Sequence, residues 1–113
     1  MKPAFVPDAG DLIWLTFDPQ AGREQAGRRP ALVLSPILYN SKAGLALACP
    51  ITTQAKGYPF EVSMPADCGV TGVILADHVK SIDWKARKAE IIGTCPHEIM
   101  AEVRAKLAPL LGY

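Results

Sequence analysis

Every long apolar run before residue 95 of this chain is cut short by a turn former. Residues 12–17 are stopped by Asp18 and Pro19, residues 31–34 by Pro36, residues 45–49 by Pro50, and the pair Ile91 and Ile92 by Gly93. Proline lacks an N–H and fixes φ, so it neither continues a helix nor donates within a central ladder. Short runs rich in β-branched and aromatic side chains, bounded in this way, fold as strands. The expected strands are therefore 12–17, 31–34, 45–49, 60–64, one or two within 73–76 and 79–82, and a short last one at Ile91 and Ile92. Residues 31–34 are apolar throughout, which suits a strand buried on both faces. Residues 60–64 alternate, which suits a half-exposed one. Residues 37–44 hold Tyr39, Asn40, Ser41 and Gly44 and read as an irregular or single-turn helical connection.

The period changes in the tail. Pro96 and Glu98 mark a helix start, since proline is tolerated in a first turn and a carboxylate favours the positive end. Apolar residues then fall at Ile99, Met100, Val103, Leu107, Leu110 and Leu111, one sticky face that should pack on the sheet. Pro109 should end or bend the helix near Ala108. Many strands followed by one helix predict a small, mostly antiparallel barrel or curled sheet carrying helices.

With 113 residues, the chain suits one domain over 1–113 and is too short for two. A net charge of +1 gives no global basic signature, so any nucleic-acid surface must be a local patch. Two clusters qualify: Arg23, Arg28 and Arg29, and Lys80, Lys85, Arg87 and Lys88, the second diluted by Asp83. Cys49, Cys68 and Cys95 are odd in number and include no C-x-x-C pair, so neither a disulfide framework nor a zinc site is suggested. Reduced thiols in a cytoplasmic protein are the expectation. Residues 1–11 carry no apolar core of a signal peptide, and no apolar run approaches membrane-spanning length.

Chemistry concentrates in residues 22–30, Gly-Arg-Glu-Gln-Ala-Gly-Arg-Arg-Pro, which hold three arginines and one glutamate. Between two apolar runs this reads as a polar loop. Arginine is a permanent cation whose planar fork matches phosphate. A glutamate beside it can accept a proton. The plainer alternative is a solvated hairpin loop whose charges serve solubility. A metal route is weak, because His78 and His97 sit in no ligand-spaced cluster. No nucleophile elbow and no nucleotide-binding glycine motif occurs. What remains is Arg, Glu, Thr and Lys on two loops, a set that suits metal-free transesterification of RNA. There the 2′-hydroxyl is the nucleophile, and the protein must accept a proton, stabilise the crowded phosphate and help the 5′-oxygen leave.

These residues also carry a resemblance. Pro7-Asp8, Gly10-Asp11, Trp14, Phe17-Asp18-Pro19, Gly22, Glu24, Gly27, Arg29-Pro30, Ser35-Pro36 and Tyr39-Asn40 resemble the MazF/PemK toxins in register. So do Pro50, Thr52-Thr53-Gln54, Lys56-Gly57-Tyr58-Pro59-Phe60-Glu61-Val62, Asp77, Val79-Lys80-Ser81-Ile82 and Trp84. The resemblance implies an SH3-like antiparallel β-barrel of the CcdB/MazF type with a C-terminal α-helix. It implies a homodimer that cuts single-stranded RNA at specific sequences, independently of the ribosome, leaving 2′,3′-cyclic phosphate and 5′-hydroxyl ends. A MazE-like antitoxin would neutralise it by laying an acidic, apolar tail along the dimer. Neither cofactor nor metal is implied, and no membrane.

Carried over by position, the catalytic residues are Glu24, Arg29 and Thr52. Arg28, Thr53, Gln54, Lys56, Asp77 and Lys80 are the expected RNA-binding residues. Trp14 and Trp84 are the expected antitoxin contacts, although both also suit a core, as does Phe17. His78, next to Asp77, is either a further site residue or surface. The chain departs from the best-studied family member at Arg28 (histidine there), at His78 (glutamine there) and over residues 65–72, which leaves the target sequence open. The competing readings are a CcdB-like, non-nucleolytic toxin that binds DNA gyrase, and a peptide-binding SH3-like adaptor.

Overall fold

The structure is a computed structural model and describes residues 5–17 and 27–113. The elements run β1 (Asp11–Phe17), β2 (Gly27–Val33), α1 (Ile37–Ala43), β3 (Ala46–Thr52), β4 (Glu61–Ser63), β5 (Val73–Leu75), β6 (Lys80–Ile82), β7 (Glu90–Thr94) and α2 (His97–Leu107), ending in a 3-10 turn at Ala108–Leu111. All strand pairs are antiparallel, in the order β4-β5-β3-β2-β1-β7, with β6 also paired to β3. The expected class, mostly antiparallel β with a C-terminal helix, is the one observed. The sheet is curled but not closed: β4 and β7 end the hydrogen-bonded path and share no ladder among the described residues.

Strands β1 to β3 are buried on both faces, as the unbroken apolar run at 31–34 predicts. On one face Leu12, Leu32 and Cys49 pack with Met100 and Val103 of α2. On the other, Ile13, Leu15, Ala31, Val33 and Ala48 pack with Ile82 and Trp84. The registers explain the split, because Leu12 lies opposite Leu32 and Leu32 opposite Cys49, while Ile13 lies opposite Ala31. Successive side chains then alternate between the two clusters. Each leucine or valine buried here contributes roughly 1.5–3 kcal/mol. Pro109 acts as expected: α2 stops at Leu107 and the chain tightens into the 3-10 turn.

Two strands run further than the prolines suggested. β3 was expected to stop at Pro50 but continues to Thr52. Its outer edge pairs with β6 up to Ala48 and with β5 from Ile51 onward. Pro50 falls in the gap, where a residue without an N–H is tolerated. β2 was expected to begin at residue 31 but begins at Gly27, so Arg28 and Arg29 are strand residues rather than loop residues. Thr16 and Phe17 of β1 extend beyond the core and pair with Arg28 and Gly27. Pro30 is accommodated because the β2–β3 ladder ends next to it, at Ala31 opposite Pro50.

The connection at 37–44 is a two-turn helix rather than a single turn, built around Asn40. Its side chain is fully buried. Its amide nitrogen donates to the carbonyls of Pro7 at 2.8 Å and Ser35 at 2.9 Å, and its Oδ1 accepts the Ser35 hydroxyl at 2.6 Å. Its main-chain carbonyl accepts the Gly44 N–H at 3.0 Å and Trp84 Nε1–H at 3.1 Å. One asparagine thus ties the N-terminal segment, α1 and the 83–89 turn together. No helix among the described residues is long and apolar enough to cross a membrane.

Candidate active site

Thr52 ends β3, half-buried, and its Oγ1 accepts the N–H of Gln54 at 3.1 Å. That bond uses a lone pair and leaves the hydroxyl hydrogen to donate. Behind it lies Gly72, with φ +117°. A Cβ there would sit 2.2 Å from the Thr52 carbonyl oxygen and 2.8 Å from its carbonyl carbon, so only glycine allows this approach.

The chain then loops out over residues 53–60 and returns at β4. The loop is fastened from below. The Glu61 carboxylate accepts the N–H of Lys56 at 2.9 Å and of Gly57 at 2.9 Å. Gly57 adopts the left-handed φ of 78° that turns both N–H groups toward one carboxylate. Lys106 of α2 donates to the Pro59 carbonyl at 2.7 Å. On the far side, β5 ends in a turn closed by the His78 N–H on the Leu75 carbonyl at 3.0 Å, which presents Asp77 and His78. Their side chains form a loose pair, Asp77 Oδ1 lying 3.7 Å from His78 Nε2.

Between these walls is an open cleft of about 240 Å³. Thr52 and Leu75 form its floor, Gln54, Lys56 and Tyr58 one wall, and Asp77 and His78 the other, with Glu61 beneath the loop. The ladders account for the convergence. Thr52 lies opposite Val73, and Glu61 opposite Leu75, while Val62 and Ile74 point to the α2 core. Alternation therefore sends Thr52, Glu61 and Leu75 to the same outer face. The β2–β3 ladder pairs Val33 with Ala48 and ends at Ala31 with Pro50. Exposed Arg29 lies two residues beyond that last pair on β2 and Thr52 two residues beyond it on β3, each held by another ladder, opposite Leu15 and Val73. Alternation assigns each to the face of its neighbour two residues back, and a guanidinium and a hydroxyl on one face can flank one phosphate.

Of the expected site residues, Thr52, Gln54, Lys56 and Asp77 meet in the cleft and exposed Thr53 lies between two lining residues, while Arg29 is exposed on β2 and does not line the cleft. Lys80 begins β6 opposite Ala48 and is exposed, outside the cleft lining. Arg28 points to the other face of β2. Its guanidinium donates to Thr16 Oγ1 and pairs with the Glu90 carboxylate. As an RNA contact it would first have to leave these partners. Glu24 lies outside the described residues. Trp14 is half-buried, opposite Pro30 and Glu90. Trp84 is 5% exposed and serves the core, which leaves an antitoxin little of it to touch.

Sequence reasoning passed over Tyr58 and Glu61 and left His78 open. The alternation of Phe60, Glu61 and Val62 already placed Glu61 outward. Nothing in the sequence showed that its carboxylate turns back under its own loop. Among the described residues, no three His, Cys, Asp or Glu side chains gather in a metal-binding group. Cys49 lies just beneath, its thiol 3.7 Å from the Ala76 carbonyl. Burial, aided by the charge of Asp77, pushes it up to about 12, so it stays a neutral thiol and no nucleophile.

Comparison with known proteins converges on one group. Residues 8–111 match the family described as PemK-like, MazF-like toxin of type II toxin-antitoxin system. Over 112 residues the chain is 54% identical to the endoribonuclease toxin MazF of Escherichia coli K12, covering 99% of this chain and 100% of that protein. It is 36% identical to the E. coli endoribonuclease PemK, covering 92% of this chain and 81% of that one. A crystal structure of MazE–MazF from Deinococcus radiodurans superposes with a TM-score of 0.91 at 61% identity, covering 96% of this chain and 98% of its counterpart.

Proposed function

The chain belongs to the PemK-like, MazF-like toxin family of type II toxin–antitoxin systems, and from that premise we propose that it cuts single-stranded RNA by transesterification, with no metal, at the cleft beside Arg29 and Thr52. The observation that supports this reading is the cleft that gathers Thr52, Gln54 and Lys56, with exposed Arg29 two residues past the end of the β2–β3 ladder.

In the reaction the 2′-oxygen loses its proton to an acceptor and bonds to phosphorus. The P–O5′ bond breaks, and O5′ takes up a proton. The products end in a 2′,3′-cyclic phosphate and a 5′-hydroxyl. Arg29 neutralises the extra charge on the phosphorane, and Thr52 donates its hydroxyl hydrogen to a non-bridging oxygen. Glu24, assigned by position in the family, is the proton acceptor. A guanidinium gives up protons reluctantly, so Arg29 acts by charge and hydrogen bonding. Lys56 attracts the backbone, exposed Tyr58 offers a ring on which a base can stack, and Gln54, Asp77 and His78 present donors and acceptors to base edges.

The protein acts in the cytoplasm as a single domain and a homodimer, and α1 offers exposed Ile37, Leu38 and Tyr39 as an apolar face for the second copy. Its toxicity is held in check by a MazE-like antitoxin. A gyrase binder would have no use for the set of Glu24, Arg29 and Thr52. The test is incubation of the pure protein with a mixed-sequence RNA oligonucleotide in EDTA. Fragments with cyclic phosphate ends are expected, with binding that weakens as salt rises. RNA left intact by folded, antitoxin-free protein would overturn the reading, as would cleavage that requires added magnesium.

A further inference from the structure

A carboxylate in a cleft meant for a polyanion calls for a reason. Glu61 lines the cleft, yet its two oxygens accept the main-chain N–H groups of Lys56 and Gly57, both at 2.9 Å, with a longer second contact from Lys56 at 3.3 Å. A carboxylate whose two oxygens already accept from main-chain donors has fewer lone pairs left to engage substrate. We infer that Glu61 is a positioning residue: it holds the 53–60 loop in the shape that aims Gln54 and Lys56 into the cleft, and it makes no contact with RNA itself. This inference rests on the ribonuclease reading for its kinetic consequence, but not for its geometry.

Three further observations make the loop a fastened element rather than a free one. At its near end the Gln54 N–H is held by Thr52 Oγ1 at 3.1 Å. At its far end the Glu61 N–H donates to the Tyr58 carbonyl at 3.1 Å, and Lys106 reaches from α2 to the Pro59 carbonyl at 2.7 Å. Gly57, with φ 78°, is the residue that lets two successive N–H groups converge on one acceptor. Glu61 itself is anchored, since β4 pairs it with Leu75 and buries its neighbour Val62 completely. The carboxylate is thus a fixed post and the loop hangs from it. The charge has a second effect. It lies under the loop main chain, where the two N–H dipoles offset it, and so it repels phosphate less than an open carboxylate would.

The test compares the full-length protein with Glu61→Ala and Glu61→Gln, measuring steady-state cleavage of an RNA oligonucleotide with one cut site and amide exchange without RNA. Glu61→Ala is expected to raise KM about tenfold, with kcat within about twofold. Exchange at the Lys56 and Gly57 amides should accelerate at the same time. Glu61→Gln keeps an acceptor oxygen, and should restore most of the KM and most of the amide protection. The inference is overturned if Glu61→Ala leaves KM and those two amides unchanged. It is also overturned if kcat falls while KM holds, which would make Glu61 part of the chemistry. Tighter RNA binding by both variants, equal in size, would make it a source of repulsion only. If the wild-type protein cuts no RNA, the ribonuclease reading falls, and the exchange rates of Lys56 and Gly57 still decide whether Glu61 holds the loop.

Discussion

Arg29 of β2 and Thr52 of β3 each lie two residues beyond Ala31 and Pro50, the last pair of the β2–β3 ladder. Each is held by a different ladder, Arg29 opposite Leu15 of β1 and Thr52 opposite Val73 of β5. Both main-chain positions are therefore set by strands before substrate arrives, which suits charge stabilisation in a transition state.

Removing the cation should remove the chemistry and leave the fold. Arg29→Ala is expected to lower kcat about 10²- to 10³-fold, the usual loss of one strong transition-state donor. Because the side chain is exposed, any surface interaction it loses should cost no more than about 1 kcal/mol, and the fold should survive. Arg29→Lys keeps the charge but not the fork, and should recover only part of the rate. Single-turnover cleavage beside a thermal melt checks both, and an unchanged rate in Arg29→Ala ends the assignment.

Thr52→Ala should slow cleavage more than it weakens RNA binding, and Thr52→Ser should restore most of the rate. The hydroxyl accepts from Gln54 and, on the proposed mechanism, donates to the phosphate; serine can do both. Equal losses in rate and affinity would reduce Thr52 to a binding residue.

Gly72→Ala tests the support behind Thr52. The added Cβ would lie 2.2 Å from the Thr52 carbonyl oxygen, at a φ of +117°. Main chain cannot yield as a flexible side chain can, so a loss of about 2 kcal/mol or more is expected. The melt should show it, and the surviving folded protein should cleave poorly because Thr52 has moved. A stability like the wild type would mean that β5 shifts freely.

Asn40→Ala should be among the most damaging single changes far from the cleft. It strands the Asn40-facing carbonyls of Pro7 and Ser35 and leaves the Ser35 hydroxyl hydrogen without its acceptor in a buried site. Each orphaned polar group costs about 1–3 kcal/mol. Urea unfolding should show a total loss of about 3 kcal/mol or more, while the RNA affinity of the folded fraction should be retained.

The buried thiols predict an alkaline limit. Burial raises Cys49 from 9.0 to about 12 and Cys95 from 9.0 to about 11. The folded state holds these protons more tightly than the unfolded chain does. Their contribution is complete below the unfolded value of 9.0 and is lost as pH rises toward the folded values. Unfolding free energy should fall between about pH 9 and about pH 12, with a shallower slope in Cys49→Ala whatever its starting stability. A parallel slope in that variant would assign the alkaline loss to other groups.

Much of the fold was legible because its signals are local. Alternation placed β4, the unbroken run at 31–34 marked a strand buried twice, and the change of period marked α2. What was missed depends on partners distant in sequence. Pro50 and Pro30 look like strand ends, but each lies where a neighbouring ladder is absent, and only the pairing of β3 with β2, β5 and β6 reveals that. Arg28 and Arg29 look equivalent in the sequence. Strand alternation separates them, sending Arg28 toward Glu90 and Arg29 to the opposite face of β2. For the site, the resemblance supplied Arg29 and Thr52, while Glu61 had to be found from its hydrogen bonds.

The break beside Pro50 lets one strand serve two ladders. Up to Ala48 its outer edge pairs with β6, near Trp84 and the Asn40 hub; from Ile51 it pairs with β5, which carries β4 and the cleft. Ile51, Val62 and Ile74 nevertheless share one core with Leu12, Leu32 and Met100. The cleft is thus braced from behind by the same side chains that hold the body of the protein together.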